Sequence, residues 1–476
     1  MTWIRAAIFD MDGLMIDSEG ISVDGWLEAG RQMDVPFTVE FVNQFRGTNE
    51  NFSRALCKKT FGEDFDYARA RLIHDDYISG VIRREGIRVK PGLPELLDWL
   101  EEAGIPCAVA TSTSQARAEE RLRAAGLYGR FAAYVYGSQV KRSKPDPEIF
   151  ELAAAALGAS PAESAVFEDS PNGVAAGLAL GGATFAVPDR IPIPEEEAAR
   201  VTALTPTLFE TIPILREMTR EAASEKKRGE KQPAASIRVT MLGHSGFLAE
   251  TPEETLLFDW WKGDLPAIRA DRPLYVFASH AHGDHFSPKI FTLARAAREV
   301  RYILSDDIRK SAAFRAAGAP EGQITWAAPG GRYTAGALTV RAYDSTDQGT
   351  AFAVSTSAGR IWHAGDLNWW TWPGEETPEE FRAVTEKYRA QLTQAAADAE
   401  DDPFVLAFVP LDPRQGGRYG WGMAEFLRAV GAAHVVPMHC WEDTGIAERF
   451  AASDLGQMFA QEWTPLVKAG ESVTVG

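Results

Sequence analysis

The first half of the chain alternates short apolar runs with amphipathic stretches of helical spacing. Residues 4–9 form an apolar run that ends at Asp10, a pattern that predicts a buried parallel strand. Further along, the pattern predicts strands at 106–110, 132–136 and 165–167 and helices at 93–103, 115–125, 147–157 and 172–180. Because repeated β-then-α units build parallel sheets covered by helices, we predict an α/β fold with a Rossmann-like parallel sheet.

A helical block, residues 17–88, interrupts this series after the first strand. Its amphipathic pattern is broken at Val35-Pro36 and at Phe61-Gly62, where turns are expected. Since the block separates the first strand from the rest of the predicted sheet, we interpret it as an inserted helical cap. The first domain then spans residues 1–218.

The second half has more β character and follows a charged segment. Residues 219–235 contain no apolar side chain beyond alanine, the composition of a solvated linker or a frayed helix end. The remaining pattern predicts strands at 237–240, 247–250 and 256–258 and helices near 288–298, 307–317, 379–399 and 422–430. We therefore predict a second domain over residues 236–476.

Composition agrees with a two-domain globular protein. The 476 residues exceed what one core usually organises, and 45% hydrophobic and 24% charged residues are ordinary values. No apolar run approaches the ~20 residues that cross a bilayer, so no membrane partner is expected. The N-terminus leads straight into a strand without room for a signal peptide, and the three scattered cysteines fit a reducing compartment. We therefore expect a cytoplasmic protein.

The net charge limits the kinds of partner that the protein is expected to bind. A net charge of −18 argues against nucleic acid, because proteins that bind its backbone have basic surfaces. A small phosphorylated metabolite remains compatible with this charge, since a metal ion and a few cations can reverse the field inside a cleft.

Polar side chains follow several predicted strands of the first domain. Asp10 and Asp12 end the first strand, where one carboxylate can attack phosphorus and the other can act as acid and base. Thr111 ends a second strand and offers a hydroxyl group to phosphate, while Lys144 supplies a cation. Asp169 ends a further strand and could hold Mg²⁺. One Asp-x-Asp pair is usually a solvated strand end, but four such elements in this order favour a phosphoryl-transfer site.

These stretches resemble the haloacid-dehalogenase superfamily, in the phosphatase branch similar to β-phosphoglucomutase. The matching segments are DMDGLMIDSE (10–19), ATSTS (110–114), RSKPDPEIF (142–150) and FEDSPNGVAAGLA (167–179). The resemblance covers about residues 4–217. It implies Asp10 as the nucleophile that forms an aspartyl-phosphate and Asp12 as the general acid and base. It also implies that Thr111 and Lys144 bind phosphate.

The same resemblance implies a Mg²⁺ site. Its ligands would be Asp10, the carbonyl group of Asp12, and Asp169, with Glu168 as a weaker candidate nearby.

Two departures from the sugar mutases of this family bear on the reaction. The chain has Ser22 where the mutases carry a histidine ten residues past the second aspartate. Glu50 aligns with an arginine that grips the second phosphate, although Arg46 stands where they have a lysine. Because a glutamate repels phosphate, we expect the phosphoryl group to be transferred to water. A mutase reaction remains the alternative.

A dense group of metal-ligand types lies in the second half. Four of the residues 279–285 are candidate ligands: His280, His282, Asp284 and His285. The first two would serve one ion and the last two another, with Asp366 as a bridging oxygen ligand and His439 completing the second site. Two ions ~3.5–4 Å apart can activate water and polarise a carbonyl or phosphoryl group. His434 is assigned to packing, since a single buried histidine is more often structural.

These motifs resemble the metallo-β-lactamase fold from about residue 237 to 476, nearest to the branch of ascorbate-6-phosphate lactonase-like hydrolases. The matching pieces are LGHSGF (242–247), FDWW (258–261), SHAHGDHF (279–286), HAGDLN (363–368) and PMHCW (437–441). The resemblance implies an αββα sandwich with Asp259 behind the metal site, orienting its ligands.

One family ligand is missing. The family usually supplies a further histidine between the cluster and the bridging aspartate, whereas residues 343–349 contain none. Asp347 is the candidate replacement and would favour Mn²⁺, Fe or Mg²⁺ alongside Zn²⁺; His363 is the rival. His244 either faces the site or caps a turn, and we leave it out of the ligand set.

Tryptophan is concentrated in this half, which holds ten of the 13. Seven lie beside the motifs: Trp260, Trp261, Trp369, Trp370, Trp372, Trp421 and Trp441. Most are expected in the core, and some could wall a pocket for a flat or sugar-like ligand.

Two hypotheses follow for the whole chain. The first is a bifunctional hydrolase, in which an N-terminal phosphatase accompanies a dinuclear Zn²⁺ or Mn²⁺ hydrolase of an ester, lactone or phosphodiester. The second keeps the phosphatase or mutase and makes the C-terminal half a metal-containing binding or regulatory module without catalysis. Nucleic-acid processing by the second half comes last because of the acidic charge.

Overall fold

The computed structural model describes residues 4–45, 50–226, 235–459, 463–464, 466 and 468–475. The chain divides into two compact units, one formed mainly by residues up to 222 and the other mainly by residues from 223 onwards. Among the described residues, no helix combines the length and the apolar character needed to span a membrane.

The first unit contains one parallel sheet, as predicted. Its six strands within the described residues are β1 (Ala6–Phe9), β2 (Cys107–Thr111), β3 (Ala133–Tyr136), β4 (Ser164–Glu168), β5 (Ala183–Ala186) and β6 (Ala203–Leu204). Their order is β3-β2-β1-β4-β5-β6, and every neighbouring pair is parallel. Strands β1 to β4 match the predicted positions to within about two residues. The short β5 and β6 were not predicted.

Helices cover this sheet and form the inserted block. The block contains α1 (Glu19–Met33), α2 (Val39–Val42), α3 (Glu50–Phe61) and α4 (Tyr67–Glu85). The remaining helices of this unit are α5 (Leu93–Glu102), α6 (Gln115–Ala124), α7 (Glu148–Ala156), α8 (Pro171–Leu180), α9 (Glu195–Ala198) and α10 (Thr211–Lys226). Helix α10 therefore runs into the segment predicted as a linker, whose residues 227–234 lie outside the described residues, as does Arg46.

The inserted block has an aromatic core of its own. The ring of Trp26 on α1 lies 5.0 Å from that of Phe45 and 5.8 Å from that of Tyr67 on α4. These side chains are buried together with Cys57 of α3. Because the helices bury apolar surface against one another, the block is a packed cap rather than an extended loop.

The second unit contains two mixed sheets in the described part of the chain. One has the order β12-β11-β10-β9-β8-β7-β19 and the other the order β13-β14-β15-β16-β17-β18. Their strands are β7 (Ile237–Gly243), β8 (Gly246–Glu250), β9 (Thr255–Phe258), β10 (Leu274–Ala278), β11 (Val300–Ser305), β12 (Ile324–Ala327), β13 (Arg332–Ala335), β14 (Leu338–Asp344), β15 (Thr350–Thr356), β16 (Gly359–His363), β17 (Phe404–Pro410), β18 (Val435–Met438) and β19 (Ser472–Val475).

The helical predictions in this unit are met only in part. Its α-helices are α11 (Ala312–Arg315), α12 (Pro378–Ala399), α13 (Trp421–Ala429), α14 (Ile446–Ala452) and α15 (Asp454–Met458). The helices predicted near 379–399 and 422–430 are confirmed as α12 and α13. Those predicted near 288–298 and 307–317 are wrong in type, because these segments form 3₁₀ turns at Pro288–Leu293 and Asp306–Lys310 and only one α-helical turn. The segment packs on the sheet that contains β7 to β12 through Ile290, Phe291 and Leu293. We attribute the absence of a regular α-helix to this packing, which outweighs helix propensity.

Candidate functional site

The carboxyl ends of the central strands of the first unit bring the predicted phosphoryl-transfer residues together. Asp10 follows β1, and Lys144 Nζ donates a hydrogen bond of 2.5 Å to its Oδ1. The same ammonium group donates to Glu168 Oε1 at 2.6 Å, at the end of β4. Burial and the Glu168 carboxylate raise the pKa of Asp10 to about 7, against the effect of Lys144. Burial also opposes the charge of Lys144, but the two carboxylates keep its pKa above the usual value.

Asp12 has a separate set of partners. Its Oδ1 accepts hydrogen bonds from Ser18 Oγ at 2.7 Å and from Arg121 Nη1 at 2.5 Å, and its Oδ2 accepts one from Thr113 Oγ1 at 2.7 Å. Burial opposes ionisation here, but Arg121 and the hydroxyl groups hold the pKa of Asp12 below its usual range. The carboxylate form is therefore the one that these neighbours stabilise.

Asp169 lies against the loop that carries the two aspartates. Gly13 has φ +91°, and a Cβ at this position would lie 2.2 Å from Asp169 Oδ2. Only glycine allows this close approach of the loop to the carboxylate. The Asp10–Asp12 loop and Asp169 are thus adjacent, as a shared cation would require.

The predicted residues of this unit border one cavity. Its volume is about 660 Å³, within the range of small-molecule sites. The predicted residues on its wall are Asp10, Asp12, Thr111, Lys144 and Asp169. Side chains of the cap, among them Trp26 and Tyr67, line the same cavity. The arrangement can therefore hold a ligand between the catalytic-type carboxylates and the cap.

Comparison with known proteins agrees with this geometry. The profile of the haloacid dehalogenase-like hydrolases matches residues 4–181. A phosphorylated carbohydrates phosphatase of Thermotoga maritima is 33% identical over 183 residues, which make up 37% of this chain and 82% of that protein. The chain belongs to the haloacid dehalogenase-like hydrolases. The resemblance predicted for the first half of the sequence is thereby confirmed.

Two other members of the family are similar at the same level. Hexitol phosphatase A of Escherichia coli is 33% identical over 187 residues, or 38% of this chain and 82% of that protein. A β-phosphoglucomutase of Bacillus subtilis is 30% identical over 179 residues, or 36% of this chain and 78% of that protein. The family match thus comprises both phosphatases and a mutase.

The second unit gathers its predicted ligands around Asp366, which follows β16. One carboxylate oxygen, Oδ1, lies 3.1 Å from His285 Nε2 and 3.4 Å from His439 Nε2. The other, Oδ2, lies 3.3 Å from His280 Nε2. Burial opposes the charge of Asp366, but the imidazoles, His285 foremost, keep its pKa well below the usual range. Asp366 therefore occupies the central position that the sequence assigned to a bridging ligand.

The other predicted ligands fall on either side of this centre. One potential ligand atom from each of His282, Asp347 and Asp366 lies within 4.8 Å of the other two. Asp284 groups with His280 and His282 by the same measure. The rival candidate His363 belongs to none of these groups among the described residues, because its Nε2 contacts the Ser245 carbonyl oxygen at 3.0 Å.

His244 was left out of the predicted ligands, but the structure places its ring among them. Its Nε2 lies 3.3 Å from Asp284 Oδ2, and it groups with Asp284, His285 and His439. The backbone N–H of His439 donates to the His244 carbonyl oxygen at 3.2 Å, which fixes the two turns together. A lone histidine in a glycine-flanked turn carries no ligand spacing, so the sequence pattern did not distinguish this role from a turn cap.

Buried carboxylates orient two of the imidazoles. Asp259 Oδ2 lies 2.7 Å from His285 Nδ1, and Asp412 Oδ2 lies 2.8 Å from His439 Nδ1. With Nδ1 directed to a carboxylate, each ring turns its Nε2 towards Asp366. Asp259 was predicted in this role. Asp412 was missed, although it lies two residues after the end of the apolar strand β17.

The chemistry of the cluster fits a cation. Its buried polar atoms without a hydrogen-bond partner among the described residues are His244 Nδ1 and Nε2, His285 Nε2, His439 Nε2 and Asp366 Oδ1. Such atoms are costly unless something compensates them. Within the described part of the chain, five non-glycine residues have left-handed backbone, and four lie in this cluster or beside it: His244, Asp259, His439 and Trp441. Strained backbone of this kind concentrates at functional sites.

Tryptophans near the cluster divide into two groups. Trp369 and Trp421 are buried in the core, as predicted for most of them. The ring of Trp370 lies 5.6 Å from that of His439, and the ring of Trp441 lies 4.6 Å from that of His244. Trp441 is 41% exposed, so an aromatic wall of this site faces solvent in part.

Proposed function

We propose that residues 1–218 hydrolyse a small phosphorylated metabolite, a sugar phosphate or a nucleotide, through an aspartyl-phosphate on Asp10. The observation that carries this proposal is the convergence of Asp10, Lys144 and Asp169 on one cavity shared with the cap. The names of two relatives, a phosphorylated carbohydrates phosphatase and hexitol phosphatase A, support the sugar-phosphate class of substrate.

The residues divide the reaction into two steps. Asp10 attacks phosphorus while Asp12, as acid, gives a proton to the departing alcohol oxygen. Asp12, now a carboxylate, takes a proton from the water that attacks phosphorus in the aspartyl-phosphate. Phosphate is released and the Asp10 carboxylate is regenerated. Thr111 and Lys144 bind the phosphate oxygens throughout. The bonds from Arg121, Ser18 and Thr113 to Asp12 stabilise its carboxylate form, which is the base of the second step.

The donor set fits Mg²⁺. Asp10, the Asp12 carbonyl group and Asp169 offer only oxygen ligands, which this ion prefers, and Gly13 allows them to come close. When bound, Mg²⁺ supplies positive charge to the phosphate oxygens. Ser22 in place of the mutase histidine favours transfer to water, and a phosphosugar mutase is the alternative.

A phosphate-release screen tests the proposal. The full chain with Mg²⁺ is incubated with sugar phosphates and nucleotides, and Asp10→Asn serves as the inactive control because it keeps the shape but not the nucleophile. We expect release by the wild type only. Absence of release from every compound, or equal release by Asp10→Asn, would refute it.

We also propose that residues 236–476 form a metallo-β-lactamase-type αββα sandwich that holds two Zn²⁺ or Mn²⁺ ions. The residues that would hold them are His280, His282 and Asp347 on one side and His244, Asp284, His285 and His439 on the other, together with Asp366. The buried imidazole and carboxylate atoms that find no hydrogen-bond partner in the described part of the chain carry this proposal. When bound, two such ions would supply positive charge to a scissile carbonyl or phosphoryl group, so the proposed reaction is hydrolysis of an ester, lactone or phosphodiester.

Metal analysis of the full chain separates this function from its alternative. We expect about two Zn²⁺ or Mn²⁺ ions per chain, a content that falls by at least one ion in His285→Ala and is retained in His434→Ala, whose histidine lies outside the cluster. Turnover of ester, lactone or phosphodiester compounds would support catalysis. Bound metal without any turnover would favour the binding or regulatory module, and no bound metal would refute both.

A further inference from the structure

A chain of hydrogen-bonded polar side chains, separate from the phosphoryl-transfer residues, lines the cavity of the first unit; we call it the relay. Ser22 on α1 and His74 on α4 both border the cavity, and Ser22 Oγ lies 3.0 Å from His74 Nε2. His74 Nδ1 lies 2.9 Å from Oδ1 of its neighbour Asp75. Gly25 makes room for this ring, because a Cβ there would lie 3.1 Å from His74 Cδ2. The proposed phosphoryl transfer uses none of these groups.

Charges around Asp75 fix the direction of the hydrogen bonds. Burial opposes ionisation of Asp75, but the bond from His74 and the nearby Arg71 and Arg117 lower the pKa of its carboxyl group. An ionised carboxylate only accepts, so His74 Nδ1 carries the proton. Burial lowers the pKa of His74 to about 4, which keeps the ring neutral and leaves Nε2 as an acceptor. The Ser22 hydroxyl must then donate to His74.

The connectivity is that of a serine–histidine–aspartate triad, but the chemistry differs. A general base works best when its pKa is near the operating pH, and a ring with a pKa of about 4 is a weak base at pH 7. The Trp26 ring lies 4.5 Å from that of His74 and contributes to its burial. The relay therefore orients Ser22 rather than activating it.

We propose that Ser22 is a specificity-determining residue that His74 and Asp75 hold as a hydrogen-bond acceptor for a hydroxyl group of the substrate. With its proton committed to His74, the serine oxygen offers only lone pairs to the cavity. It then selects phosphate monoesters whose leaving group carries further hydroxyl groups. The inference rests on the proposed phosphatase function and names the chemistry by which that site would choose its substrate.

Asp75→Asn tests the direction of the relay without removing Ser22. Arg117 Nη2 forms an ion pair with Asp75 Oδ2, so we expect an asparagine to keep its oxygen on that side and to turn its NH₂ group to His74. The ring would then carry its proton on Nε2 and donate to Ser22, whose own proton would point into the cavity. Ser22→Ala removes the acceptor altogether. Asp76→Asn is the matched control, because this neighbour is exposed.

The assay compares a hexitol phosphate with p-nitrophenyl phosphate, whose leaving group has no further hydroxyl group. For the hexitol phosphate we expect kcat/KM to fall about tenfold in Ser22→Ala and in Asp75→Asn, mainly through KM. The fall for p-nitrophenyl phosphate should be much smaller, and Asp76→Asn should change neither. The ¹⁵N chemical shifts of His74 should report the exchange of its tautomer in Asp75→Asn.

The possible outcomes separate the two proposals. Equal falls for both substrates would indicate a structural role, and an unchanged Ser22→Ala would also overturn the inference. If the wild type hydrolyses p-nitrophenyl phosphate but not the hexitol phosphate, the inference about Ser22 is refuted and the phosphatase function stands. No release from either substrate would refute the phosphatase function and this inference with it.

Discussion

The pH dependence of stability offers a quantitative test of how the cap is packed. His74 is 2% exposed, and its burial lowers the pKa of the ring from 6.5 to about 4. Well above pH 6.5 the ring is neutral in both the folded and the unfolded chain, so it adds no pH dependence. Between pH 6.5 and about 4 the unfolded chain binds a proton that the folded chain does not bind. The free energy of unfolding must therefore fall as the pH falls through this window.

The size of the effect follows from the shift. A pKa lowered from 6.5 to about 4 corresponds to a loss of about 3 kcal/mol once the pH has fallen below both values. Replacing the ring by the uncharged amide in His74→Gln removes this contribution. The variant should lose less stability than the wild type between pH 6.5 and pH 4.5, whatever the other titrating groups contribute to both.

Two measurements check this result. Urea unfolding at several pH values gives the difference between wild type and His74→Gln, and NMR titration gives the pKa directly, with the signal missing from the variant assigned to His74. Parallel loss of stability in both proteins, or titration of His74 near pH 6.5, would refute the reasoning about its burial.

Three further substitutions test the two sites. Gly13→Ala should abolish phosphate release, because its Cβ would lie 2.2 Å from Asp169 Oδ2; Gly126→Ala, at φ +70° but with open space, controls for backbone strain alone. Asp412→Asn should weaken metal binding of the second unit about 10–100-fold in chelator competition, since it loosens the orientation of His439, whereas the exposed Asp401→Asn should not. Asp347→Ala should reduce the metal content by about one ion per chain, and an unchanged content would remove Asp347 from the ligand set.

The architecture of the first unit was predictable because its signals are local. Three of the four predicted apolar runs, 4–9, 106–110 and 165–167, are followed by a polar residue, and the carboxyl ends of parallel strands meet at one edge of the sheet. Asp10, Thr111 and Glu168 could thus be placed together from spacing alone. The partners that lie on helices could not be predicted in this way. Arg121 contacts Asp12 from α6, and an amphipathic pattern does not reveal which side chain points at a distant strand end.

The second unit shows the same limit more strongly. Four candidate ligands within residues 279–285, three histidines and one aspartate, are a dense local signal, and Asp366 and His439 follow apolar runs. His244 and Asp412 become recognisable only when the turns after β7, β17 and β18 are brought together, which local sequence does not encode. The helices predicted near 288–298 and 307–317 failed for a related reason, because contacts with a sheet outweigh helix propensity in short segments.

Three histidines of this chain share one device and differ in what they face. In each, a buried carboxylate binds Nδ1: Asp75 for His74, Asp259 for His285 and Asp412 for His439. Each Nε2 is thereby aimed in a fixed direction. For His74 it meets the Ser22 hydroxyl, and the protein itself satisfies the ring. For His285 and His439 it is buried, faces the Asp366 carboxylate and forms no hydrogen bond among the described residues. The same orientation therefore fits the proposed substrate selection in one unit and the proposed cation binding in the other, because the group opposite Nε2 differs.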